Sequence, residues 1–188
     1  MSVSLLSCMA HSWKAVPKEV PRERRCDPIR KFPQMIEIPG FDSAWEMISD
    51  CELYPAERVS VAMMIFYMEW VERFGESTQV KDSINTLLIE WSDDDRGGSA
   101  YAVDGRRITN ASFVGLTTSP GFIWVKVSYP PERICETSLV HELTHASIWA
   151  IKGTDGDPDH LGDVYFGWST KHSLMIQEVN ELLCRLGI

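Results

Sequence analysis

The chain predicts an α+β fold. Apolar residues recur at helical spacing in three stretches, around 56–74, 139–153 and 170–186, and short β-like runs lie between the first and second. A further feature places chemistry on this frame. LVHELTHASIWAIKG, residues 139–153, sets H-E-x-x-H into what reads as the most apolar helix of the molecule.

Composition narrows the class. At 188 residues and 44% hydrophobic content, the chain can close one sizeable core. The net charge of −9 argues against a general grip on polyanions, so nucleic acid is not the expected partner. No run approaches the roughly 20 apolar residues of a membrane span. The five cysteines, Cys8, Cys26, Cys51, Cys135 and Cys184, form no C-x-x-C pair and read mainly as unpaired thiols, with one or two disulfides as the alternative. Leu5-Leu6-Ser7-Cys8 has the form of a bacterial lipoprotein cleavage site, but the charged start and apolar run of a signal peptide do not precede it. The chain as given therefore reads as cytoplasmic, whereas a start further upstream would make Cys8 the lipidated first residue of an envelope lipoprotein.

Residues 1–40, with Pro17, Pro21, Pro28, Pro33, Pro39 and the basic run Arg22 to Arg25, read as an arm or linker, leaving 41–188 as a single domain. Asp42-Ser43-Ala44-Trp45 reads as the cap of a short helix through Asp50. Ala56 to Phe74 is a clear helix: Val59, Met63, Phe66, Trp70 and Phe74 share one stripe, and Gly75 ends it. Thr86 to Trp91 reads as a buried strand and Ser92 to Ser99 as a solvated loop. Ala111 to Leu116 and Phe122 to Val127 read as strands around a hairpin-like connection, Thr117 to Gly121. The tail from Thr170 to Leu186 is amphipathic, with Met175, Ile176, Val179, Leu182, Leu183 and Leu186 on one stripe.

The polar groups of the apolar helix need a reason, because a buried carboxylate without partners costs several kcal/mol. His141 and His145 are four residues apart, so both imidazoles leave one face, roughly 6 Å apart at the backbone. That suits two ligands of one tetrahedral zinc. Glu142 projects about 100° further round, where it can serve as a base without taking a coordination position. A catalytic zinc needs a third protein ligand. His160 leads, because the turn-rich loop GTDGDPD can return the chain to the helix. Glu178 and one of Asp157, Asp159 or Asp163 are the alternatives, although Glu178 shares a polar face with Glu181 and Arg185. His172 falls on the inner stripe of the last helix.

The run H-E-L-T-H-A, with Trp149, Gly153, His160, Gly162, Phe166 and Trp168, resembles the SprT-like group of zincin metallopeptidases over roughly residues 137–168. The resemblance implies a zincin-like fold, in which a small mixed β-sheet packs on the HExxH helix among additional helices. It implies that His141, His145 and His160 bind Zn2+ and that Glu142 is the catalytic base. It also implies that one of the segments 111–116 and 122–127 is an edge strand pairing with an extended peptide. The chain departs from the pattern at His160-Leu161-Gly162, one residue longer than the family's H-G. The acidic charge does not suit proteases that act on DNA-bound protein, so the expected substrate is a protein or peptide alone.

The expected function is zinc-dependent peptide hydrolysis. Glu142 would accept a proton from a water polarised by zinc and pass it to the leaving amine. Tyr165 or His172 would donate to the tetrahedral oxyanion, a contribution of about 3 kcal/mol. Two other readings differ in kind: a zinc-stabilised binding module without turnover, whose site would be closed by a fourth protein ligand, and an envelope lipoprotein with a peptidase-like fold.

Overall fold

A computed structural model of the chain describes residues 32–38, 40–41, 45–49, 56–93, 96–101, 107–127, 133–153 and 168–188. The expectations for residues 1–31, including Cys8, and for Cys51, His160, Tyr165 and the aspartates between 155 and 163 lie outside the described residues. The fold is mixed α+β, with four α-helices among the described residues.

Five strands form the main sheet: β1 (Phe32–Ile36), β2 (Trp45–Ser49), β3 (Leu88–Ser92), β6 (Gly115–Ser119) and β7 (Phe122–Lys126), in the order β1-β2-β3-β7-β6. The sheet is mixed. β2, β3 and β7 run parallel, while β1 and β6 run antiparallel to their neighbours at the two edges. β4 (Arg96–Tyr101) and β5 (Arg107–Phe113) form a separate antiparallel ribbon.

Several elements differ from the reading of the sequence. Trp45–Ser49 is a strand and not a helix, because β1 and β3 flank it on both edges and satisfy its backbone groups. β1 lies inside the stretch read as an arm, and Ile36 and Ile38 are buried in the core. Ser92 to Ser99 is not one loop, since Ser92 ends β3 and Arg96 opens β4. Helix α2 (Thr78–Asn85) was not legible: two turns with only Val80 and Ile84 apolar and buried are too short to show a period. It is held by the Ser77 hydroxyl, which accepts from the Val80 amide at 3.3 Å. The segment read as one strand over 111–116 divides at Val114 between β5 and β6, and Thr117–Ser119 belong to β6, leaving only Pro120 and Gly121 for the turn.

The long helices follow the sequence. α1 (Ala56–Phe74) buries Val59, Ala62, Met63, Phe66 and Trp70. α3 (Leu139–Lys152) follows a short 3-10 turn at Ile134–Glu136 and ends at Gly153, whose φ of 72° admits the left-handed conformation that lets its amide reach Trp149 O at 2.8 Å. α4 (Thr170–Arg185) buries Met175, Ile176, Val179 and Leu183, while Leu186, expected on the same stripe, is exposed.

Alternation assigns the faces of the sheet. Ile89 and Trp91 of β3 and Ile123 and Val125 of β7 join the helices in one core. On the opposite face Arg96 of β4 pairs with Glu90 at 2.9 Å and covers the Trp124 ring at 4.7 Å. Full burial of α3 from Glu142 through Ile148 follows from its place between the sheet and the other helices. Its small polar residues cost little, because Thr144 and Ser147 donate to Val140 O and Leu143 O, each at 2.8 Å.

Cys135 and Cys184 form a disulfide with Cα atoms 5.3 Å apart, which corrects the reading of these two as unpaired thiols. It joins the turn before α3 to the end of α4, where the Cys135 amide also donates to Ile188 O. The sequence separation of 49 gives a chain-entropy contribution of about 4 kcal/mol. Reduction, or a Cys135→Ser/Cys184→Ser variant, is expected to lower Tm by about 10 °C. Peptide mapping of the non-reduced protein should recover a linked Cys135–Cys184 fragment, and two alkylated thiols there would refute the pairing.

Candidate metal centre

α3 places His141 and His145 on one face as one-turn spacing requires. Their Nε2 atoms converge to 3.1 Å, and the rings meet edge to face with centroids 4.8 Å apart. Nitrogens about 2.0–2.1 Å from a tetrahedral zinc stand roughly 3.3 Å from one another, so the pair fits two corners of such a site. Two neutral imidazoles sharing one N–H···N hydrogen bond have the same separation, with a proton where the metal would sit. His145 is 6% exposed and His141 is half-buried, so the pair opens to solvent on the His141 side.

Glu142 is 4% exposed and lies against the edge strand β6. Gly115 and Thr117 pair with Val125 and Ile123, whose side chains are in the core, and so both face α3. Thr117 Oγ1 lies 2.8 Å from Glu142 Oε2 and 3.1 Å from Glu142 O, and can donate to either. Gly115 admits the other side of the carboxylate: a Cβ there would stand 2.4 Å from Glu142 Oε1 and 2.3 Å from Ser138 Oγ. Ser138, at the N-cap of α3, donates instead to Val114 O at 2.8 Å, which ties the start of the helix to the same strand. The buried carboxyl is accommodated here by hydrogen bonding and by a backbone that can come close.

Trp168 borders the histidines. Its ring centroid is 5.2 Å from that of His141 and 4.8 Å from that of His145, and its indole N–H donates to Ser173 Oγ at 3.1 Å. His172 belongs to the same aromatic group, 6.0 Å from Trp168 and stacked on Phe74 at 4.2 Å. Its Nδ1 accepts from the Ser169 amide at 2.9 Å, closing the first turn of α4. His172 therefore faces the body of the protein, as its stripe predicts, with a capping and packing task of its own. The bond from the Ser169 amide occupies Nδ1, so an oxyanion donor at His172 would have to be Nε2.

Glu178 does not join the site. Its side chain is 53% exposed and paired with Arg73 of α1, which removes it from the candidates for third ligand. Among the described residues no group of three His, Cys, Asp or Glu side chains is gathered as a metal site. Of the two segments read as edge candidates, 122–127 is interior, because β7 lies between β3 and β6, and β6 is one of the two edges of the sheet among the described residues. Gly115, Thr117, Ser138 and, as a wall of the site, Trp168 were not read as site residues. A lone glycine in a β-like run, as at Gly115, is the one signal of close backbone approach that the sequence carried.

Trp168→Ala is expected to destabilise the protein by about 3 kcal/mol, and Trp168→Phe by less than half of that, as read from urea unfolding midpoints. Equal losses would mean that ring packing on the histidines contributes nothing.

No family model, curated protein or solved structure is significantly similar to this chain.

Proposed function

We propose that this chain is a zinc-dependent metallopeptidase of zincin-like architecture, with His141, His145 and His160 as metal ligands and Glu142 as general base. The observation that carries the reading is the convergence of the two Nε2 atoms at 3.1 Å, on the same helix as a buried, hydrogen-bonded glutamate. A structural role for two histidines does not require a carboxylate at the intervening position. Hydrolysis requires a base there.

Zinc held by such donors supplies Lewis acidity, polarising a carbonyl and acidifying water. The chain's own residues do the rest. His141 and His145 hold their nitrogens in register because α3 is buried on nearly every side. Glu142, held by the bond from Thr117 Oγ1, would take the proton of the attacking water and return it to the leaving amine. The burial of the carboxylate and the wall formed by Trp168 limit competing water. β6, at the sheet edge beside α3, is the strand to which an extended peptide would add.

The partner is accordingly a protein or peptide. No helix among the described residues is long and apolar enough to cross a membrane. Purified protein is expected to carry about one zinc per chain. Glu142→Gln should retain zinc and lose at least about 100-fold in peptide cleavage, whereas His141→Ala and His160→Ala should lose the metal. Wild-type protein without zinc after metal-free purification and zinc titration would end this reading; zinc bound by a closed four-ligand site without cleavage would favour the binding module.

A further inference from the structure

We propose that Gly115 and Thr117 of β6 form a seat for the Glu142 carboxylate, which makes Thr117 a positioning residue for the base. The proposal rests on the reading of Glu142 as that base.

The geometry is specific on both sides of the carboxylate. Oε2 lies 2.8 Å from Thr117 Oγ1, and Thr117 is itself buried, with the stiff χ1 of a β-branched residue. On the other side, a Cβ at Gly115 would come within 2.4 Å of Oε1 and 2.8 Å of Cδ, so any side chain there displaces the glutamate or Ser138. A glutamate has three side-chain torsions, and a helix fixes little beyond the first. The hydroxyl and the missing Cβ together select one orientation of its end.

Two features separate this from ordinary packing. Thr117 is on the edge strand, two residues from Gly115, so the pleat turns both toward α3. A valine would fill the same space as Thr117, so shape alone does not call for the hydroxyl. The same strand is tied to the helix start by Ser138 and Val114, which keeps seat and base in register. Effective general-base catalysis needs the carboxylate held within a fraction of an ångström, and misplacement by about 1 Å can cost on the order of 100-fold.

The test has two arms. In zinc-loaded protein, Thr117→Val is expected to lower kcat about 10- to 100-fold with KM and zinc content little changed, and Thr117→Ser to restore kcat to within about threefold of wild type. Gly115→Ala should lower kcat in the same way if it folds; Thr117→Val carries the test if it does not. In zinc-free protein, thermal unfolding of wild type, Thr117→Val, Glu142→Met and the double variant forms a cycle. Thr117→Val is expected to lower Tm clearly in the wild-type background and much less in the Glu142→Met background, because the lost donor then serves no carboxylate.

Wild-type kcat in Thr117→Val, equal losses in the Ser and Val variants, or an additive cycle would each overturn the proposal. If wild-type protein neither holds zinc nor cleaves peptides, the proposed function fails and the positioning role falls with it. A non-additive cycle in that case would leave a structural contact only.

Discussion

The contact between α3 and the edge strand β6 is the constraint on which the rest of the site depends. Glu142 is a charged residue on a helix buried from Glu142 to Ile148, and such a group is tolerated only where donors and close backbone replace water. Thr117 supplies the donor and Gly115 the approach. Once this face is committed to the strand, the rotation of α3 about its own axis is set. His141 and His145, on another face, then present their Nε2 atoms together toward Trp168.

The supporting frame has the same logic at longer range. β6 turns Gly115 and Thr117 to the same face as Ile123 and Val125 of β7, the face on which α3 packs. The disulfide joins the turn before α3 to the end of α4, and the first turn of α4 is closed by His172 next to Trp168. Both ends of α4 are thus coupled to the helix that carries the histidines. Apolar burial of Met175, Ile176, Val179 and Leu183 makes that coupling firm.

The three long helices and the histidine pair were legible because helical periodicity is local: a stripe every three to four residues, closed by Gly75 or Gly153, can be read without knowing the partner. The strands were less so. Trp45–Ser49 has a capping-like prefix and its state is decided by β1 and β3, which the local sequence does not encode. Thr117–Ser119 resembles a turn in composition and is a strand because β7 pairs with it. For the same reason the seat of Glu142 was missed, since two residues of β6 acquire their role only through a helix about 25 positions away.

The sequence by itself determined the chemistry on offer: two imidazoles and a carboxylate at one-turn spacing on an apolar helix, within an α+β chain whose charge disfavours polyanions. Tertiary structure decided which strand is the edge, that Glu142 is held by Thr117 and Gly115, that Trp168 walls the histidines, that Glu178 faces Arg73, and that Cys135 bonds Cys184. The physical reason is one of range. Spacing along a helix is a property of the backbone, whereas the partner that satisfies a buried charge is chosen by which distant segment packs against it.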